Sequence, residues 1–125
     1  MPKIYKIIAS QVIRGMGKGN ALGFPTINLA YGKLELPFGV YAAKVYTQTG
    51  VFFGALHFGP ISIFGILKPS LEVHLLDFEG DLYGQKVRVE ILKKIRKTKD
   101  FSTVESLKKQ LADDVKKIKM VVKIP

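Results

Sequence analysis

A small, mostly antiparallel β-barrel closed by one C-terminal helix is the fold this sequence predicts, and three observations predict it. Short apolar runs rich in branched and aromatic residues recur along residues 4–95, separated by glycine-containing turns. That spacing belongs to a barrel or sandwich rather than to alternating strands and helices. After Ser102 the period changes: Val104, Leu107, Leu111, Val115 and Ile118 follow at steps of three and four, one apolar stripe of a helix. The chain has 125 residues, 47% of them hydrophobic, and no cysteine; it is long enough to bury a core without staples. Residues 1–125 are read as a single domain, with the barrel over 3–100 and the helix over 102–119.

The elements follow in order. Ile4 to Ile13 is dense in branched residues and reads as the first strand. Gly15, Gly17, Gly19 and Gly23 make the next stretch a flexible loop, which carries on into Pro25, Thr26 and Asn28. Phe38 to Thr47 is a strand, Gln48-Thr49-Gly50 a turn, and Val51 to Phe58 the returning strand of a hairpin. Val45 to Leu67 holds no charged residue, but Gly50, Gly54, Gly59, Pro60 and Gly65 interrupt it. Breakers at that density indicate buried strands rather than a membrane span. Leu71 to Phe78 alternates, with Glu72, His74, Leu76 and Phe78 on one face and Val73, Leu75 and Asp77 on the other. Glu79-Gly80-Asp81 turns the chain into a last strand, Val87 to Ile95. Ser102 with Glu105 has the spacing of a capping box. Lys108, Lys109, Asp113, Asp114, Lys116 and Lys117 fall off the apolar stripe, on a face expected to be solvated.

Charge narrows the function classes. The net charge is +10, and it is uneven: residues 1–92 hold nine bases and six acids, residues 93–125 eleven bases and four acids. A positive chain favours polyanions, whether nucleic acid, nucleotide phosphate or membrane. All but three of the bases are lysine, a hydrated point charge that suits a solvated surface better than forked recognition. The missing cysteines exclude a disulfide framework, a thiolate metal site and a cysteine nucleophile. No apolar segment follows Met-Pro-Lys-Ile-Tyr-Lys, so no signal peptide is visible and a cytoplasmic protein is expected.

Three segments can carry chemistry. Gly15-Met-Gly-Lys-Gly, directly after a strand, leaves backbone N–H groups free to turn toward a phosphate, with Lys18 adding charge. It fits neither the Walker A nor the dinucleotide pattern, and taken alone it reads as an ordinary turn ahead of a phosphate cradle. In Pro25-Thr-Ile-Asn the side chains of Thr26 and Asn28 emerge on one side of extended chain. Such oxygens suit Mg²⁺, which takes a few hard ligands plus phosphate and water, or they bond the backbone of a turn. Glu72, two residues from His74 in an apolar strand, is either structurally paired or poised as a base whose pKa burial would raise.

Read together, these segments resemble the riboflavin kinase (flavokinase) family, also found as the C-terminal half of bacterial bifunctional FAD synthetases. Val12-Ile-Arg-Gly-Met-Gly-Lys-Gly-Asn-Ala-Leu-Gly-Phe-Pro-Thr-Ile-Asn is similar to the family's glycine loop and Pro-Thr-Ala-Asn motif. Phe38-Gly-Val-Tyr resembles its Gly-Val/Ile-Tyr strand, and Leu71-Glu-Val-His-Leu-Leu-Asp-Phe-Glu-Gly-Asp-Leu-Tyr-Gly nearly repeats its pattern. Ile95-Arg with Phe101 resembles the late Arg…Phe segment, and Ser102 to Asp114 the closing helix. Three places depart: Ile27 replaces alanine, Thr98 replaces a usual acid, and His57-Phe-Gly-Pro-Ile-Ser-Ile-Phe replaces Asn-x-Gly-x-x-Pro-Thr-Phe.

The resemblance implies a six-stranded antiparallel Greek-key barrel and Mg²⁺-dependent transfer of the ATP γ-phosphate to the 5′-hydroxyl of riboflavin, giving FMN. It implies Glu72 as the catalytic carboxylate and Gly15, Gly17, Lys18, Gly19, Thr26, Asn28 and Tyr83 at the nucleotide. Thr26 and Asn28 are also the implied Mg²⁺ ligands, and Arg96, Lys99 and Phe101 fall in the flavin segment. The implied partners are riboflavin, FMN, ATP and ADP, with a separate FMN adenylyltransferase downstream and neither nucleic acid nor membrane. Two alternatives stand beside this one: a homologue that binds flavin or nucleotide without turnover, and a basic nucleic-acid-binding barrel.

Overall fold

Six antiparallel strands close on themselves in the order β1-β2-β5-β4-β3-β6. The computed structural model describes residues 4–15, 25–61 and 65–123. The strands are β1 (Lys6–Ile13), β2 (Thr26–Leu29), β3 (Gly39–Tyr46), β4 (Val51–Ile61), β5 (Ile66–Leu75) and β6 (Lys86–Arg96), followed by one helix, α1 (Val104–Val122). β3, β4 and β5 form a meander, and β6 returns to lie beside β3, which is the Greek-key order.

Alternation along the strands builds two apolar layers. Side chains from every strand, Val12, Leu29, Tyr41, Leu56, Val73 and Val89 among them, fill the barrel. A second layer on the outer wall, Val40, Ala42, Ala55, Leu76 and Leu92, is covered by Ile118 of α1. This explains why β3 is buried on both faces at its first five residues: one face lines the barrel and the other lies under the helix. The β3–β4 turn is tied by Thr47, whose Oγ accepts from the Gly50 N–H at 3.1 Å, while the Thr47 N–H donates to the Gly50 carbonyl at 2.9 Å.

Five local expectations need correction. Thr26 to Leu29 is a strand, not a loop: four residues with Ile27 and Leu29 buried inward, too short to stand out as a period. β5 starts at Ile66, earlier than expected, and ends at Leu75. Asp77 adopts a left-handed backbone with φ 55°, which turns Phe78 into the barrel core and off the face of Glu72. The helix runs to Val122 and is capped by Thr103, whose hydroxyl accepts from the Ser106 N–H at 3.0 Å, rather than by Ser102. Asp114 is fully buried because it pairs with Arg96, so it does not belong to the solvated face.

Candidate active site

Strand register brings the polar residues of three strands into two adjacent rows on the outer wall. In one row Asn28 of β2 opposes Glu72 of β5, which opposes His57 of β4; in the next, Thr26 opposes His74. The intervening Ile27 and Val73 point inward. Three separate segments thus present an amide, a hydroxyl, a carboxylate and two imidazoles together, on strands stiffer than any loop.

A cleft of about 370 Å³ opens beside the β2 end of these rows. Its walls are the end of β1 through Gly15, Pro25 to Asn28, Phe78 and Gly80 to Tyr83. Thr26 and Asn28 therefore face it from a strand. At Gly15 a Cβ would run into the Asn28 amide, so glycine here is a matter of space rather than of turning. Tyr83, half exposed, stacks under the Arg14 guanidinium 4.1 Å from its ring centroid, a cation–π contact. Asp81 fixes the loop by accepting the Tyr83 N–H at 2.9 Å.

Glu72 sits one strand beyond. Burial pushes its carboxyl up to about 7, because the ionised form loses hydration that nothing in the wall fully replaces. His74 Nε2 lies 3.6 Å from Glu72 Oε1, and His74 Nδ1 lies 2.8 Å from the Thr26 hydroxyl. Burial, reinforced by His57, holds the His74 imidazole down to about 4, so the ring is neutral and the Glu72 contact is not an ion pair at neutral pH. Burial and the Arg96 charge likewise hold His57 at about 4, and its buried Nδ1 has no hydrogen-bond partner among the described residues.

The residues assigned to flavin gather at the helix side. Arg96 forks onto Asp114 through Nε and Nη2, both at 2.8 Å, and its Nη1 donates to the Lys97 carbonyl at 3.0 Å. The Gln110 amide also donates to Asp114, at 3.0 Å. The Phe101 ring lies 6.0 Å from the Arg96 guanidinium, and Lys99 donates to Gln110 at 3.1 Å. Gly17, Lys18 and Gly19 lie outside the described residues. Arg14, His57 and Asp114 were missed by the sequence reading. Arg14 borders the glycine loop, and Asp114 falls on the 107–111–114–118 spacing of buried helix positions; both signals were present.

No group of three His, Cys, Asp or Glu side chains that could hold a metal occurs among the described residues. The Thr26 hydroxyl and Asn28 amide fit a regime in which a hard cation takes one or two protein oxygens and completes its shell with phosphate and water.

A model of the flavokinase family, described as riboflavin kinase, matches residues 3–122. The bifunctional riboflavin kinase/FMN adenylyltransferase of Haemophilus influenzae is 40% identical over 94% of this chain and 38% of its own length. The RNA-binding riboflavin kinase RibR of Bacillus subtilis is 37% identical over 87% of this chain and 48% of its own. A solved structure described as a macrolide-efflux protein from Streptococcus pneumoniae superposes with a TM-score of 0.76 at 30% identity, covering 88% of this chain and 37% of that one. The chain spans less than half the length of each of these proteins. With nearly all its residues matched, and with the expected barrel and helix, this chain belongs to the riboflavin kinase family.

Proposed function

We propose that this chain is a riboflavin kinase that transfers the γ-phosphoryl group of Mg·ATP to the 5′-hydroxyl of riboflavin. The observation that carries the reading is Glu72, a desolvated carboxyl raised to about 7 directly across from Asn28, whose amide faces the cleft. A base with its pKa near working pH is well matched to a weakly acidic hydroxyl.

In this reading the nucleotide lies in the cleft, its phosphates near Gly15 and Tyr83 beside it, with Gly17, Lys18 and Gly19 completing the phosphate cover. Riboflavin approaches from the helix side, past Arg96, Lys99 and Phe101. Its hydroxyl gives a proton to Glu72 while its oxygen forms the new bond to the γ-phosphorus. The bond from that phosphorus to the β–γ bridging oxygen breaks, and ADP leaves with the electron pair. Phosphoryl transfer asks a protein mainly for positioning and charge balance, and strands supply the positioning here. Mg²⁺, held by Thr26 and Asn28, supplies neutralisation of phosphate charge when bound.

No helix among the described residues is long and apolar enough to cross a membrane. We place the protein in the cytoplasm, with its FMN passed to an FMN adenylyltransferase and no nucleic-acid partner. Incubation with riboflavin and Mg·ATP, read by chromatography, should yield FMN and ADP in equal amounts, and none without Mg²⁺. Tight flavin binding with no FMN would instead identify a non-catalytic binder.

A further inference from the structure

We propose that His74 is a positioning residue for two groups of the site at once, its ring bridging the Thr26 hydroxyl and the Glu72 carboxylate and fixing the direction of both. The inference rests on the kinase reading and deepens it. His74 is held in the middle of the wall, its side chain 6% exposed, with Nδ1 2.8 Å from Thr26 Oγ1 and Nε2 3.6 Å from Glu72 Oε1. The first distance is a hydrogen bond; the second is a close electrostatic contact. Catalytic contacts commonly tighten only when substrate binds.

The bridge has a polarity. A neutral imidazole offers one donor and one acceptor. A Thr26 hydroxyl that donates to Nδ1 therefore obliges the ring hydrogen to sit on Nε2, aimed at Glu72. That arrangement turns lone pairs of the Thr26 oxygen, rather than its proton, toward the cleft that Thr26 lines. An oxygen so presented suits a cation and suits a phosphate oxygen poorly. At the other end, Nε2–H faces one carboxylate oxygen of Glu72 across 3.6 Å and leaves the second for the substrate hydroxyl. In the strand register His74 stands opposite Thr26 on one side and Ala55 on the other.

Three substitutions separate bridging from packing, because asparagine places its amide where Nδ1 lies and glutamine reaches the place of Nε2. Each variant is measured for thermal unfolding, for Mg·ADP affinity by calorimetry, and for kcat and KM of riboflavin. His74→Leu should lower both kcat and Mg·ADP affinity by about 10–100-fold, the usual effect of removing a group that orients a ligand, with KM for riboflavin little changed. His74→Asn should restore most of the Mg·ADP affinity but not kcat, and His74→Gln the reverse. A folded His74→Leu with both quantities within about twofold of wild type would overturn the bridge on that scale. Should His74→Leu not fold, the asparagine and glutamine variants decide: opposite effects support the bridge, and parallel effects overturn it. Wild-type protein that makes no FMN would overturn the kinase reading instead, leaving the Mg·ADP affinities of the asparagine and leucine variants to decide the Thr26 end of the bridge.

Discussion

At Glu72 the barrel wall itself does the tuning, since burial is what raises the carboxyl. Glu72→Gln keeps the shape and removes the base, so turnover should fall about 10²–10⁴-fold while flavin and nucleotide still bind, as measured by kcat beside equilibrium titration. The same residue makes a stability statement. A carboxyl that titrates near 4.5 unfolded and about 7 folded binds its proton more tightly in the native state. Its contribution is complete below pH 4.5 and lost as pH rises through 7. Thermal unfolding should therefore show Glu72→Gln gaining on wild type from pH 5 to 8, by about 3 kcal/mol across the window. The position of Glu72 was legible from strict alternation and from the family motif. Its partners were not: nothing along the chain says that His57, fifteen residues away, stands opposite it, since register is a property of the closed sheet.

The helix is anchored by charge as well as by its apolar stripe. Asp114 is fully buried and accepts from Arg96 and Gln110, joining α1 to the end of β6. Removing one member of such a pair leaves the other charge stranded, at a cost of about 3–5 kcal/mol. Asp114→Ala should lose that much in urea unfolding, whereas Asp114→Leu combined with Arg96→Met should lose clearly less. Helix α1 and the β3–β4 hairpin were readable because each carries a long period and a local start or stop signal. β2 was not, because four residues hold too few alternations to tell a strand from a polar turn. Asp114 was assigned to solvent because a side chain's charge does not disclose a partner eighteen residues away.

For the whole molecule, the two desolvated histidines, His57 and His74, oppose Glu72 in pH. Each titrates near 6.5 unfolded and about 4 folded, so the native state binds their protons less readily. The stability they allow is complete above pH 6.5 and lost as pH falls toward 4. The Arg96–Asp114 pair that flanks His57 enters with both signs, the arginine lowering and the aspartate raising its pKa. Wild-type stability should fall on acidification through this window, and His57→Asn should flatten the fall by about 2 kcal/mol in denaturant titrations at pH 6.5 and 4.5. The net charge of +10 adds self-repulsion at low pH in the same direction.

The barrel is closed, but it is not closed evenly. β2 meets β1 through two register pairs among the described residues, Val12 with Leu29 and Ile13 with Asn28, whereas β1 meets β6 through six. A ring of strands yields first where its ladder is shortest, and local opening is cheapest where few backbone bonds must break together. Along this seam lie Asn28 and the mouth of the cleft. Amide protons of β2 should thus exchange with solvent ahead of those of β3, and a nucleotide clasped across the seam would act as a staple, slowing that exchange without adding any bond to the rest of the sheet.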